Sequence, residues 1–533
     1  MASALLTGCS EGSNEYKDPT EGIELAKTDD KYRNYYQIWI GSFCDSNGDE
    51  TGDIPGIISK LDYLNDGDPT TDTDLGVTGI WLSPMMPSIS YHKYDVMDYY
   101  DIDEEFGTMA DFEKLIAECD KRGIKVIIDL VLNHCSSRHP WFRQACEEVK
   151  QSKYDGYAKY FEILTPLNPI TCANRSDAGS GVAFEGNFSF EMPEWNLSSE
   201  ATREEFEKIA KFWLEKGVAG FRLDAVKYFT NEHTDGKEFM KWFYDTAKKY
   251  NEDVYMVGEN WVGPAEIYEM YKSGIDSQFA FKLGTASGDI ISAVSSGVLG
   301  ENYAAQVKRY QENILKRNEN AINAVFLTNH DMVRAANALV TENNIKMAAA
   351  LYLTLPGNTF TYYGEETGTN APYADNDANY RTAMIWDSDN LPAIFVNGVG
   401  DPEDTKFHGV AQQEKDEYSI LNFYKRAFKI RNQNPELARG IITQTVKFDD
   451  ESVAAYITEY NGTKLLVVHN TSERDAKQLT ITDEILKNAK LRGDLTAQRP
   501  KQDKDGNDIV EHVMFNNGVL NLPPQSSAIF KAE

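Results

Sequence analysis

Four apolar runs in this chain end the same way, on a short cluster of polar or charged residues. Lys125 to Leu132 runs into Asn133 and His134, and Val218 to Leu223 carries Arg222 and ends on Asp224. Asp253 to Gly258 runs into Glu259, and Ala324 to Leu327 leads to Asn329, His330 and Asp331. Unbroken apolar runs of this length read as strands buried on both faces, the habit of parallel sheets. Amphipathic stretches alternate with them: Met109 to Arg122 closed by Gly123, the segment around Glu204 to Glu215, and Ser419 to Asn432. Strand and helix alternating in this way predict a parallel α/β architecture.

Three further runs join the series: Tyr35 to Ile40, Val77 to Leu82 and Asn358 to Tyr363. About eight strand–helix units over roughly 400 residues predict a (β/α)8 TIM barrel. In that fold the strand C-termini converge on one face, so the polar endings would share a pocket. The rhythm breaks over 135–199, a stretch rich in Asn, Ser, Gly and aromatics that reads as an inserted domain after strand 3. After Pro435 short strands between turns predict a C-terminal antiparallel β-sandwich over 438–533. The barrel then comprises 32–134 and 200–437. Residues 1–31 are polar and acidic after the first few and read as a flexible tether.

The formal charge is −31, from 53 basic and 84 acidic residues, which argues against nucleic acid as a partner. No stretch approaches the ~20 apolar residues of a membrane span. Leu6-Thr7-Gly8-Cys9-Ser10 resembles a bacterial lipoprotein box, so the expected location is outside the cytoplasm, with a lipid at Cys9 as the one membrane contact. There are six cysteines and no C-x-x-C pair, and most of the cysteines read as small buried residues. Asp45, Asn47, Asp49, Thr51 and Asp53 place oxygen ligands at alternate positions, as in a calcium loop, and Ca2+ is the expected cofactor. Asp224, Glu259 and Asp331 with one Arg and two His make a poor stability device and a reasonable glycosidase site, since retaining glycosidases pair a nucleophilic carboxylate with an acid/base.

The motifs resemble those of the α-amylase family, glycoside hydrolase family 13. Asp129 to His134, Gly220 to Tyr228, Val257 to Asn260 and Phe326 to Asp331 resemble its four conserved regions, in the family's order, and Met192 to Asn196 resembles its region near the end of domain B. The resemblance implies Asp224 as nucleophile, Glu259 as general acid/base and Asp331 as the third carboxylate. It implies Arg222 as the cation that keeps Asp224 ionised, His134 and His330 as hydroxyl ligands, and Tyr94 as the platform under the cleaved sugar. Asp95 and Arg381 resemble a pair that caps the non-reducing side in some members. Ala225 and Lys227 resemble the α-1,4 pattern, so starch, amylose and malto-oligosaccharides are the implied substrates of a monomeric enzyme. Oligo-1,6-glucosidase, α-glucosidase and glucanotransferase are the alternatives, and a non-catalytic amylase-fold binding protein is a distant one. Tyr228 stands where many amylases have His, and Glu194-Trp195 replaces the usual Asp-Leu, which leaves a second calcium site at Asn133 open.

Overall fold

A computed structural model describes residues 16–169, 175–176, 181–298, 300–371, 377–392, 394, 406–481, 489–516 and 518–532. Cys9 and Cys172 lie outside them; among the described residues no disulfide joins Cys44, Cys119, Cys135 or Cys146.

Eight parallel strands form the core: β1 (Asn34–Ile38), β2 (Gly79–Leu82), β3 (Lys125–Leu130), β4 (Gly220–Leu223), β5 (Tyr255–Gly258), β6 (Ser277–Gln278), β7 (Ala324–Phe326) and β8 (Asn358–Tyr362). Their hydrogen-bonded order is β6-β5-β4-β3-β2-β1-β8-β7. A parallel bridge from Phe279 to Ala324 brings the two ends together, so the sheet closes as a barrel. Nearly every strand residue is buried, which is why the runs are apolar without alternation.

Local chemistry sets the connections. The helix Met109–Lys121 starts on a capping box: the Asp111 amide donates to Thr108 Oγ1 (3.2 Å), and the Thr108 amide to Asp111 Oδ2 (3.0 Å). It ends at Gly123, at φ +72°, a left-handed turn that glycine adopts without cost. Ser419 caps the last barrel helix, Ile420–Gln433, through the Asn422 amide. Gly220 opens β4 because a Cβ there would lie 1.8 Å from the Tyr255 carbonyl oxygen.

Between β3 and the helix Glu200–Glu215 lie the helix Pro140–Lys150, a 3-10 turn at Tyr157–Tyr160 and the short strands Arg175–Ser176 and Phe184–Glu185. A bridge from His134 to Glu194 ties this insertion to the end of β3, and one from Phe161 to Trp195 lies within it. The C-terminal part has a five-stranded antiparallel sheet of Ile441–Val446, Val453–Tyr460, Thr463–Asn470, Ser526–Lys531 and Lys490–Thr496, in that spatial order, and a smaller three-stranded sheet. Val453, Ala455, Ile457, Leu466 and Phe530 face the smaller sheet in a core of their own. Ala454, Tyr456, Leu465, Val467 and Ile529 belong instead to the barrel's core.

The acidic N-terminal stretch is not a free tether over its described part. Arg426 pairs with Asp18 (3.0 Å), Arg439 with Asp30 (2.6 Å), and the Gln433 amide donates to the carbonyls of Thr20 and Ile23. Composition suggested disorder; the last barrel helices supply the cations and amide that this polar segment needs to be held.

Candidate active site

The site lies at the C-terminal ends of the strands, and its centre is Arg222. Asp129 on β3 and Arg222 on β4 face each other in register. Arg222 Nη1 donates to Asp129 Oδ1 (2.8 Å) and to Asp224 Oδ1 (2.6 Å), and Nη2 stands 3.9 Å from Glu259 Oε2. The guanidinium is sealed from solvent between the rings of Trp81 (5.3 Å) and Tyr94 (5.7 Å). The side chains of Arg222 and Asp129 are 0% exposed, whereas Asp224 is 10% and Glu259 12% exposed. That difference sorts the acids: Asp129 braces Arg222 from below, while Asp224 and Glu259 are open to a ligand.

After Asp224 the chain turns through Ala225 at φ 53°, an uncommon left-handed conformation for a residue with a side chain. The turn aims the Ala225 amide at Glu259 Oε2 (3.0 Å), and the Val226 amide donates to the Glu259 carbonyl (2.9 Å). The backbone of one carboxylate's strand thereby positions the other carboxylate.

Asp331, 30% exposed, completes the acidic group from beyond β7. Arg381 Nη2 donates to its Oδ1 (2.8 Å), and His330 Nε2 lies 3.0 Å from its Oδ2. The Gln37 amide donates to His330 Nδ1 (2.7 Å), which places the ring proton on Nε2, facing Tyr94 OH (2.5 Å) and Asp331. Tyr94 and His330 stack 5.6 Å apart with planes 5° from parallel, and Tyr94 OH donates to Asp129 Oδ2 (3.1 Å).

Asp95 does not pair with Arg381. It is buried and accepts from Ser88 Oγ (2.5 Å), Ser90 Oγ and Ser136 Oγ (3.4 Å). Arg381 donates instead to Tyr91 OH (2.7 Å), to Asp331 and to the His330 carbonyl (3.0 Å). The serine hydroxyls hold Asp95 away from the surroundings of its neighbour Tyr94, which faces Asp129 and His330.

His134 is buried, and its Nε2 finds no hydrogen-bond partner among the described residues. The half-exposed ring of Phe188 lies 4.9 Å from it and 5.1 Å from Tyr228. Lys227 is exposed, its ammonium 5.2 Å from the Tyr228 ring centre.

Two cations, Arg222 and Arg381, cannot neutralise four acids, and the protonation states follow. Burial pushes Glu259 up to about 7; Arg222 opposes this, and Asp224 and Asp331 reinforce it. Burial also raises Asp129. Asp331 is pulled below the usual range: burial works against it, and His330, Arg381 and Arg222 outweigh burial. Burial lowers His134, and lowers His330 to about 3, so both rings are neutral near pH 7. The site thus offers a carboxylate on a guanidinium, a carboxylic acid beside it that holds its proton, and neutral hydrogen-bonding groups around both. That combination can protonate a leaving group and attack the carbon it leaves.

The family profile for the alpha amylase catalytic domain matches residues 37–440. The chain is 38% identical to "Alpha-amylase 3" of Dictyoglomus thermophilum, over 82% of this chain and 85% of that protein. The chain belongs to the α-amylase family. It is also similar to the oligo-1,6-glucosidase of Parageobacillus thermoglucosidasius, 29% identical over 82% of this chain and 90% of that one. The structure of Eubacterium rectale Amy13B superposes with a TM-score of 0.87 at 34% identity, covering 97% of this chain and all of that one. The α-amylase of H. orenii superposes at 0.79 with 33% identity, over 95% and 100%.

Within this α-amylase-family site, sequence reasoning missed Asp129, Gln37, Trp81 and Tyr91 as working parts. Asp129 left a signal: it is the one acid inside the apolar run Lys125–Leu132, and a buried carboxylate needs a cation. Tyr91 left none, because its partner Arg381 comes from a distant loop.

The expected calcium loop follows β1. The Asn47, Asp49 and Thr51 amides donate to Asp45 Oδ1 (2.9 Å), Asn47 Oδ1 (2.8 Å) and Asp49 Oδ1 (2.9 Å), so the loop coils in successive tight turns. Asp53 is buried and caps the helix Ile54–Ser59 through the Gly56 amide (2.6 Å). Among the described residues no group of three or more His, Cys, Asp or Glu side chains is placed to share a metal. The donor chemistry suits a hard cation, with carboxylate, amide and backbone oxygens. Asp45 is ionised: burial opposes this, but the amides of Gly48, Asn47 and Glu50 hold it below the usual range.

Proposed function

We propose that this chain is a retaining glycoside hydrolase that cleaves α-1,4-glucosidic bonds of starch and malto-oligosaccharides. The observation that carries the reading is the shared Arg222. One end holds Asp224 at 2.6 Å, and the other faces a Glu259 that keeps its proton near neutral pH. Glu259 gives that proton to the glycosidic oxygen as the C–O bond breaks, and Asp224 attacks the anomeric carbon to form a glycosyl ester. Water then gives a proton to Glu259 and its oxygen to the same carbon, and the ester bond to Asp224 breaks. Asp331, His330 and His134 bind the hydroxyls of the sugar over Tyr94, and the unpartnered His134 Nε2 supports that role. Because Glu259 must carry its proton at the first step, kcat/KM is expected to fall as pH rises through about 7. An alkaline limb that stays put in Glu259→Asp would assign the titration elsewhere.

Asp45, Asn47, Asp49, the Thr51 backbone and Asp53 would hold Ca2+, which supplies a structural tie between the β1 loop and the barrel. The deciding experiment is a time course of products from amylose and pullulan, with and without a chelator. Maltose and longer products from amylose are expected. Isomaltose cleavage with intact amylose would instead select the oligo-1,6-glucosidase reading, which the relatives of that name support. Chelation is expected to lower the melting temperature, and a melting curve indifferent to chelator and added Ca2+ would reject the loop as a site. The Leu6–Ser10 run supports lipid anchoring outside the cytoplasm; a Cys9→Ser chain that stays with the membrane fraction would reject it.

A further inference from the structure

Arg334 is a buried guanidinium that no acid pairs with. The residue is 2% exposed, and among the described residues all its hydrogen bonds go to main-chain oxygens. Its Nη1 donates to the Tyr363 carbonyl (2.7 Å), its Nη2 to the Thr382 carbonyl (3.4 Å), and its Nε has no partner. The rings of Tyr362 and Tyr363, inclined 79° to each other, stand 4.5 and 4.7 Å from its centre. Glu365 and Glu366 are close enough to feel its charge, but tyrosine hydroxyls serve them: Tyr352 and Tyr424 donate to Glu365, Tyr36 and Tyr63 to Glu366. A buried cation without a carboxylate is costly, and ring contacts offset only part of that cost.

Its placement shows what it holds. Arg334 comes three residues after Asp331, and Thr382, which it grips, follows Arg381. Asp331 and Arg381 are joined in the site at 2.8 Å. Arg334 thus ties the chain beyond β7 to the chain beyond β8 next to that contact.

The two tyrosines complete the grip. Tyr362 OH donates to the Tyr380 carbonyl (3.0 Å) and Tyr363 OH to the Thr382 carbonyl (2.6 Å). Both neighbours of Arg381 are therefore pinned by their main-chain oxygens. From that pinned backbone the Arg381 side chain reaches Asp331, Tyr91 OH and the His330 carbonyl.

We propose that Arg334 is a positioning residue for glycoside cleavage: it fixes the backbone around Arg381, so that Arg381 holds Asp331 in the geometry the reacting sugar needs. This rests on the glucan-hydrolase reading above. A guanidinium suits the task because its planar fork reaches two carbonyls in a fixed relation, which a lysine ammonium cannot do.

The test compares Arg334→Met, Arg334→Lys and Arg381→Met, and each Arg334 change combined with Arg381→Met, by amylose hydrolysis and by urea unfolding. Removing Arg334 breaks no ion pair, and burial already pushes Glu365 up to about 8 and raises Glu366. Arg334→Met is therefore expected to unfold at the wild-type urea concentration or above it, since an apolar side chain in place of a buried ion is often neutral or stabilising. Its kcat is expected to fall about 10^2-fold, the scale of an ångström of misplacement, with KM changed by less than about threefold. Arg334→Lys keeps the charge without the fork, and its kcat is expected to fall about tenfold. With Arg381 already replaced, either Arg334 change is expected to cost nothing more, because the two residues act as a unit.

A folded Arg334 variant with the wild-type kcat would overturn the inference, and so would losses that multiply in full with that of Arg381→Met. A kcat that falls only as far as stability falls would make Arg334 a residue of the fold alone. If Arg334→Met does not fold, Arg334→Lys decides by the same criteria. Amylose left uncut by the wild type would overturn the hydrolase reading and take the inference with it.

Discussion

Asp224→Asn is expected to lower kcat on amylose by about 10^4 or more, the scale seen when a nucleophile is removed from a covalent mechanism. The chain should still fold. The amide oxygen can accept from Arg222 Nη1 as Asp224 Oδ1 does at 2.6 Å, and one acid fewer around Arg222 relieves repulsion with Asp129 and Glu259. The stability cost should not exceed about 3 kcal/mol, the upper value for a hydrogen bond to a charged group. Urea unfolding and product assays on one preparation check both halves. Hydrolysis near the wild-type rate would place the nucleophile elsewhere, and an unfolded chain would make Asp224 a structural acid.

Arg222→Met is expected to be worse for the fold than any change of a single carboxylate. It leaves Asp129 fully buried beside Asp224 and Glu259 with no cation, and a broken buried pair typically costs about 3–5 kcal/mol. The double variant Arg222→Met with Asp129→Asn separates the two roles of the cation. With the sealed charge gone, most of the stability should return, while activity should not, because Asp224 still lacks the guanidinium that holds its Oδ1 in place at 2.6 Å. If activity returned with stability, Arg222 would serve the fold alone.

The sequence made the site legible to the extent that its chemistry sits at the ends of buried strands. Arg222, Asp224, Glu259, His330 and Asp331 each follow or end an apolar run, and the barrel turns that shared position into proximity. Seven of the strands could be read this way. β6 could not: it is two polar residues, Ser277 and Gln278, and its Phe279 bridge to Ala324 completes the barrel without any periodic signal. The partner of Arg381 was illegible for a related reason. Tyr91 and Asp95 lie four residues apart on one loop, and only packing decides which of them meets Arg381: Asp95 is drawn inward by three serine hydroxyls. The N-terminal stretch misled in the other direction, because acidic composition reads as solvated whether or not Arg426 and Arg439 wait nearby.

The five-stranded sheet at the C-terminal end is covered on both faces along its inner strands. Residue by residue along Val453–Ile457 its side chains alternate between two separate cores, and Tyr456 OH reaches the Thr354 carbonyl below the barrel at 3.0 Å. Such a sheet is a party wall rather than an annexe. A barrel cut off after Arg439 would present Ile314 and Leu353 side to water where Ala454, Tyr456 and Val467 now help enclose a single apolar interior, and at about 1.5–3 kcal/mol for each large side chain uncovered the loss would rival the whole stability of an ordinary domain. Exchange of this end for another domain would therefore have to replace a shared interior, not splice a linker.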